Sequence, residues 1–141
     1  MSMCEHISLM AQYNEWMNTR LYEAALSLPA EEVFADKGAF FGSLYGTLNH
    51  LILGDTIWLK RFATHPAGHA ALDPVRAMPM PATLDEREGS LDALRARRMM
   101  LDTVIKQWAA ELREDDLGVL IKYTRLNGEA FARPFGPLVM H

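Results

Sequence analysis

A chain of 141 residues, half of them apolar, has the length of one domain and enough apolar material for a core without staples. Its net charge of −4, from interspersed acids and bases, gives no electrostatic footprint for nucleic acid, and no apolar run reaches the roughly 20 residues that cross a bilayer. The N-terminus lacks the basic and apolar regions of a signal peptide, so a cytoplasmic location is expected, and a single cysteine excludes an internal disulfide framework.

The first predicted helix spans about residues 3–28. Ser2-Met-Cys-Glu5 fits a capping box, in which a hydroxyl and a carboxylate satisfy the first free amides. Leu9, Tyr13, Trp16, Leu21, Ala24 and Leu28 recur at helical spacing and read as its core stripe, and Pro29 ends it. His6 falls on the apolar side as a half-buried residue. Cys4 has no activating base beside it in sequence and reads as an inert thiol.

An acidic connector, 30–42, leads to a second helix over about 43–63. Leu44, Leu48, Leu51, Ile52, Trp58, Leu59 and Phe62 form its main stripe, with Leu53 and Ile57 outside it. A helix apolar almost all round is buried on more than one side. Residues 64–82 hold four prolines and read as a long crossover, which permits the second and third helices to run parallel.

The third helix is predicted to start at the capping box Thr83-Leu-Asp-Glu86. Leu91, Leu94, Leu101, Ile105, Trp108 and Leu112 make a bundle-type seam, with Arg98 inside it. The period then changes. Val119 to Leu126 is β-branched and aromatic, Asn127-Gly128 is a hairpin turn, and Glu129 to Arg133 returns as a second strand. Pro137 suits the first turn of a last helix, of which Leu138-Val-Met-His141 supplies about one turn. Three long helices and a stub do not close a four-helix core, so the last helix is expected to be largely missing from the sequence.

Polar groups inside apolar helices need partners. His50 sits about 120° from the centre of its helix's main stripe, at 100° per residue, with the small Gly46 and Gly54 one turn away on either side. It reads as a transition-metal ligand or as a core histidine bonded to a carbonyl or carboxylate. Asp55 and Arg98 are charges where hydrophobes are expected, and a register-fixing ion pair between them is the structural hypothesis. A double-mutant cycle without coupling would sink it. His65 and His69 have metal-compatible spacing only on a helix, and Pro66 and Gly68 argue for a surface loop instead. Tyr13, Trp16, Trp58 and Trp108 read as core.

Two stretches bring a family into view. Tyr13-Asn-Glu-Trp-Met-Asn-Thr-Arg-Leu21 resembles the first-helix signature of the DinB family of small bacterial proteins. Phe40-Phe-Gly-Ser-Leu-Tyr-Gly-Thr-Leu-Asn-His50-Leu, continuing through Asp55-Thr-Ile-Trp58-Leu-Lys-Arg-Phe62, resembles its second-helix signature more closely. Gly128-Glu-Ala-Phe and Pro137-Leu-Val-Met-His141 are similar to the family's hairpin and the start of its last helix.

The resemblance implies an all-α fold over residues 1–141: a DinB-like four-helix bundle with a long crossover between helices two and three and a small β-hairpin before the last helix. It also implies a divalent transition metal on three histidines, the first of them His50. The other two belong to a His-rich stretch of the last helix, expected beyond residue 141. His141 matches a histidine one turn before that stretch, and would either face the pocket or be a ligand itself. Nickel, zinc, iron and manganese are not distinguishable from imidazoles alone.

Two functions follow from the resemblance. The DinB-like superfamily includes metal-dependent transferases that use a low-molecular-weight thiol, whose thiolate attacks an electrophilic small molecule. Asn14, Trp16 and Asn49 would then lie near the pocket. The alternative is a non-catalytic, damage-inducible metal-binding bundle. Thiol-dependent turnover lost in His50→Ala supports the first, and metal binding without turnover across a thiol panel supports the second. A homodimer is expected in either case, with no nucleic acid and no membrane partner.

Overall fold

The computed structural model describes residues 1–38, 41–83 and 89–140. The first helix, α1 (Met3–Leu26), begins at its capping box: Ser2 Oγ accepts the Glu5 amide at 3.1 Å and the Glu5 carboxylate accepts the Ser2 amide at 2.8 Å. It ends at Ser27, two residues before Pro29, and Pro29 leads into a short helix, α2 (Ala30–Phe34), inside what the sequence presents as a connector.

The face that α1 buries differs from the predicted one. Ile7, Ala11, Tyr22 and Ala25 are buried, whereas Leu9, Tyr13 and Trp16 are 50%, 53% and 53% exposed. The cause is polar. Asn14 and Asn18 bond Asp102 on the opposing helix at 3.1 Å each. A buried carboxylate left without donors costs more than a few exposed hydrophobes, so α1 is rotated to supply them.

The second long helix, α3 (Leu44–Phe62), is capped by Ser43, whose Oγ accepts the Gly46 amide at 2.9 Å. It is buried nearly all round, including Leu53 and Ile57, while Leu51 of the predicted stripe is exposed. The crossover is ordered by a 3-10 turn (Ala70–Leu72) and a short helix, α4 (Asp73–Arg76). Arg76 returns to Ala63 O at 3.2 Å and Lys60 Nζ reaches Val75 O at 3.2 Å, tying the crossover to the end of α3.

The third long helix, α5 (Leu91–Glu111), starts later than predicted. Ser90, in extended geometry, accepts the Ala93 amide at 3.1 Å and caps it. Most of the Thr83–Glu86 box lies outside the described residues, and the extended backbone at Ser90 separates it from α5. A 3-10 turn (Glu114–Gly118) then leads to β1 (Leu120–Thr124) and β2 (Ala130–Pro134), antiparallel, with Tyr123 opposite Phe131. Gly128, at φ 92°, takes the left-handed position of the turn. The last described element, α6 (Phe135–Met140), follows directly.

The contacts fix the helix directions. Glu15 meets Lys106 while Asn18 meets Asp102, so α1 and α5 run antiparallel. Asp55 meets Arg98 and Phe62 stacks on Trp108 at 5.2 Å, so α3 and α5 run parallel. The protein is thus mostly helical with one small hairpin. Phe62, Trp108 and Phe135 gather at one end of its core, with Phe135 edge-on to both other rings. No helix among the described residues is long and apolar enough to cross a membrane.

Candidate metal centre

Beyond α3 the chain cannot remain helical through Pro66, and it turns instead, with the Gly68 amide bonded to His65 O at 3.0 Å and Gly68 at φ 60°. That turn folds His65 and His69 inward onto Phe135, at ring distances of 4.7 and 6.3 Å. The two imidazoles are 4% and 6% exposed, which corrects the surface-loop expectation. The aromatic end of the core supplies the apolar wall that a solvated loop would lack.

Asp116 comes from the 3-10 turn after α5. Its Oδ2 lies 3.1 Å from His69 Nε2 and accepts the Arg113 amide at 2.9 Å. Burial works against its charge, but the Arg113 amide and His69 hold the Asp116 carboxyl below the usual range. His65 Nδ1 accepts the Ala67 amide at 3.0 Å. Its proton therefore belongs on Nε2, which donates to Asp116 O at 3.0 Å. His69 Nδ1 is buried with no hydrogen-bond partner among the described residues.

Ligand atoms of His65, His69 and Asp116 all lie within 4.8 Å of one another, so the group could hold a metal ion. Ligands about 2.0–2.1 Å from a tetrahedral ion stand roughly 3.3 Å apart, close to the 3.1 Å between His69 and Asp116. His65 is the costly member. Ligation through Nε2 moves its proton to Nδ1, where it faces the Ala67 N–H, at a cost of about 1–3 kcal/mol. The donor set fits an ion held by two well-placed ligands and one that must rearrange.

His50 is elsewhere. It is half-buried on α3 and stacks on Phe41 with centroids 3.9 Å apart and planes 19° apart. Its ring nitrogens have no hydrogen-bond partner among the described residues, and no group of three ligand residues there includes it. His141 lies outside the described residues. The histidine set that the resemblance implies is therefore not assembled among them.

A groove of about 440 Å³ runs between α1, α3 and α5, lined by Asn14, Asp55, Trp58 and Trp108 and by Leu138 and Met140 of α6. Asn14 is thus at the groove. Trp16 is not among its lining residues; it stacks on Tyr13 at 6.1 Å, and Arg20 lies 5.3 Å from its ring. Asn49 is buried and also absent from the lining. Asp55 and Arg98 meet at 2.6 Å, and Arg98 Nε bonds Asp102 at 2.9 Å. Sequence reasoning missed Asp102 and Asn18; the signal was the i,i+4 spacing of Arg98 and Asp102. Asp116 left no comparable signal for the site, since His65 and His69 are far from it in sequence.

A family model described as the DinB family matches residues 3–125. No curated protein and no solved structure matches the chain.

Proposed function

The chain belongs to the DinB family, and from that premise we propose that it binds a divalent transition-metal ion through His65, His69 and Asp116. The observation that carries the reading is the convergence of two buried imidazoles and a carboxylate within 4.8 Å. Two nitrogens and one oxygen suit zinc, nickel or iron rather than magnesium or calcium. His69 and Asp116 already sit at ligand spacing, and the Arg113 amide orients the carboxylate as outer partners of metal ligands do.

The surroundings are apolar, although three protein ligands leave the fourth position of a tetrahedral ion to water. Phe135 and Trp108 pack on His69. A bound ion supplies a cross-link between the crossover and the turn after α5. His65 and His69 would contribute imidazoles, Asp116 the compensating charge, and Phe135 an apolar wall beside both rings. The role that best agrees with this is non-catalytic metal binding. Calorimetric titration with zinc tests it. One ion per chain is expected for the native protein and for His50→Ala, with binding lost in His69→Ala. Retention in His69→Ala with loss in His50→Ala would overturn the assignment.

A second reading is favoured by His50, whose ring has no hydrogen-bond partner among the described residues. In it, His50 is the ligand of a metal that lowers the pKa of a low-molecular-weight thiol, and the protein is a transferase acting on an electrophile. What supports it is the resemblance of the second-helix signature and the availability of the imidazole. Thiol-dependent loss of an electrophile such as chlorodinitrobenzene, abolished in His50→Ala, is its expected signature. Absence of turnover across a thiol panel in the metal-loaded protein would count against it.

A further inference from the structure

Three arginines gather on the aromatic face of the hairpin. The Arg61 guanidinium lies between Trp58 and Tyr123, at 4.5 and 4.7 Å from their ring centres. Tyr123 stacks on its cross-strand neighbour Phe131 at 5.6 Å. Arg125 and Arg133 both lie over Phe131, at 4.4 and 5.3 Å. In a chain of net charge −4 this is a local concentration of positive charge.

The charges are not compensated within the protein. Among the described residues, none of the three arginines has a carboxylate within ion-pair distance. The nearest acid in sequence, Glu129, meets Arg125 through backbone only, and its carboxylate accepts from Asn127 at 3.3 Å. Among the described residues, Arg61 Nε is buried with no hydrogen-bond partner, and Arg61 Nη2 donates to Thr124 O at 3.3 Å. Burial pushes the Arg61 pKa down; Tyr123 pulls it part of the way back, and the neighbouring Arg125 charge adds a lesser push downward. Stacking explains how the guanidiniums are held, since rings fix their planes. It does not explain why like charges are brought together without a counter-charge.

We propose that Arg61, Arg125 and Arg133, set on Trp58, Tyr123 and Phe131, form a binding site for a phosphate-type oxyanion. The fit is chemical. A planar guanidinium presents a fork of donors that matches phosphate oxygens, and Arg61 is held with donors unused. The rings are already covered by guanidiniums or by each other, so they offer little platform for a nucleobase, and the anionic group is what the site recognises. Trp58 also lines the groove between the long helices, so the organic part of a phosphate ester would lie toward the groove.

The phosphate could be carried by a soluble ester or by a lipid headgroup, and two probes distinguish these sources. One is phenyl phosphate, followed by calorimetry and by tryptophan fluorescence at low ionic strength. The other is co-sedimentation with phosphatidylcholine vesicles containing phosphatidic acid. Binding of either probe is expected, weakened about tenfold or more in Arg61→Gln and in Arg125→Gln, with Arg20→Gln unaffected. Arg61→Lys keeps the charge but loses the fork and should bind weakly as well. Arg133→Gln, on the hairpin alone, serves as a second variant if Arg61→Gln does not fold. Binding of neither probe, or binding unchanged in the folded variants, would overturn the proposal.

Discussion

Arg98 Nη2 lies 2.6 Å from Asp55 Oδ2, so a guanidinium on α5 closes onto α3 while its Nε holds Asp102 on its own helix at 2.9 Å. The Arg98 side chain is 5% exposed, that of Asp102 4% and that of Asp55 41%. Burial works against the Arg98 charge, but the two carboxylates outweigh it and raise its pKa. A charge cluster of this kind contributes less to net stability than to register. It sets α3 parallel to α5, and through Asn14 and Asn18 it sets the rotation of α1.

Removing Arg98 is therefore costly in a way that removing Asp55 is not. Arg98→Met leaves the Asp102 carboxylate buried without its cation and is expected to destabilise the fold by about 3–5 kcal/mol. Asp55→Asn, at a half-exposed position, is expected to cost about 1 kcal/mol or less. Urea unfolding checks both. Equal losses would mean that Asp55, not Asp102, carries the pairing.

The rotation of α1 makes a second comparison. Trp16 is 53% exposed and Phe62 is 6% exposed. Trp16→Gln should change unfolding stability by about 0.5 kcal/mol or less, whereas Phe62→Ala should cost about 3–5 kcal/mol. A large loss from Trp16→Gln in the monomer would restore the stripe read from apolar spacing.

Cys4 is predicted to be unreactive. Burial, then Glu114, pushes its thiol up to about 11, and its amide is bonded to Glu114 at 3.1 Å. At pH 8 the native thiolate should be roughly two hundredfold rarer than that of an ordinary thiol with a pKa near 8.5. Slow alkylation by iodoacetamide in buffer, with fast alkylation in urea, is the expected pattern. Equal rates in both would contradict it.

Asp116 gives the fold an acid limit. Its carboxyl is held below the usual range, because the Arg113 amide and His69 outweigh the effect of burial. A carboxyl depressed in the folded state contributes stability above its unfolded pKa, near 3.9, and loses it as pH falls through the folded value. In metal-free buffer, Asp116→Asn should thus lose less stability than the native protein as pH drops below about 4. Parallel pH profiles for the two would show that the carboxylate is not specifically held.

The legible part of the sequence was the part written in local signals. The Ser2–Glu5 capping box, the bounds of α3, the Asn127-Gly128 hairpin and the placement of Asp55 against Arg98 all follow from spacing and turn chemistry. The start of α5 was misread because two capping signals precede it, and Ser90 is the one that caps it. The core face of α1 was misread because Asn14 and Asn18 look like surface residues until Asp102 stands opposite them. His65 and His69 were misplaced for a related reason. Pro66 and Gly68 do break the helix, but the turn they make folds inward, and its partner Asp116 is 47 residues from His69. The convergence of His65, His69 and Asp116 is a tertiary feature that no local pattern encodes.

The most direct test of the metal assignment is anomalous diffraction at the zinc absorption edge from crystals grown with zinc. The account predicts a peak within bonding distance of His69 and Asp116, with His65 Nε2 drawn in and its contact to Asp116 O released. A peak on the imidazole of His50 with none between His69 and Asp116 would contradict it.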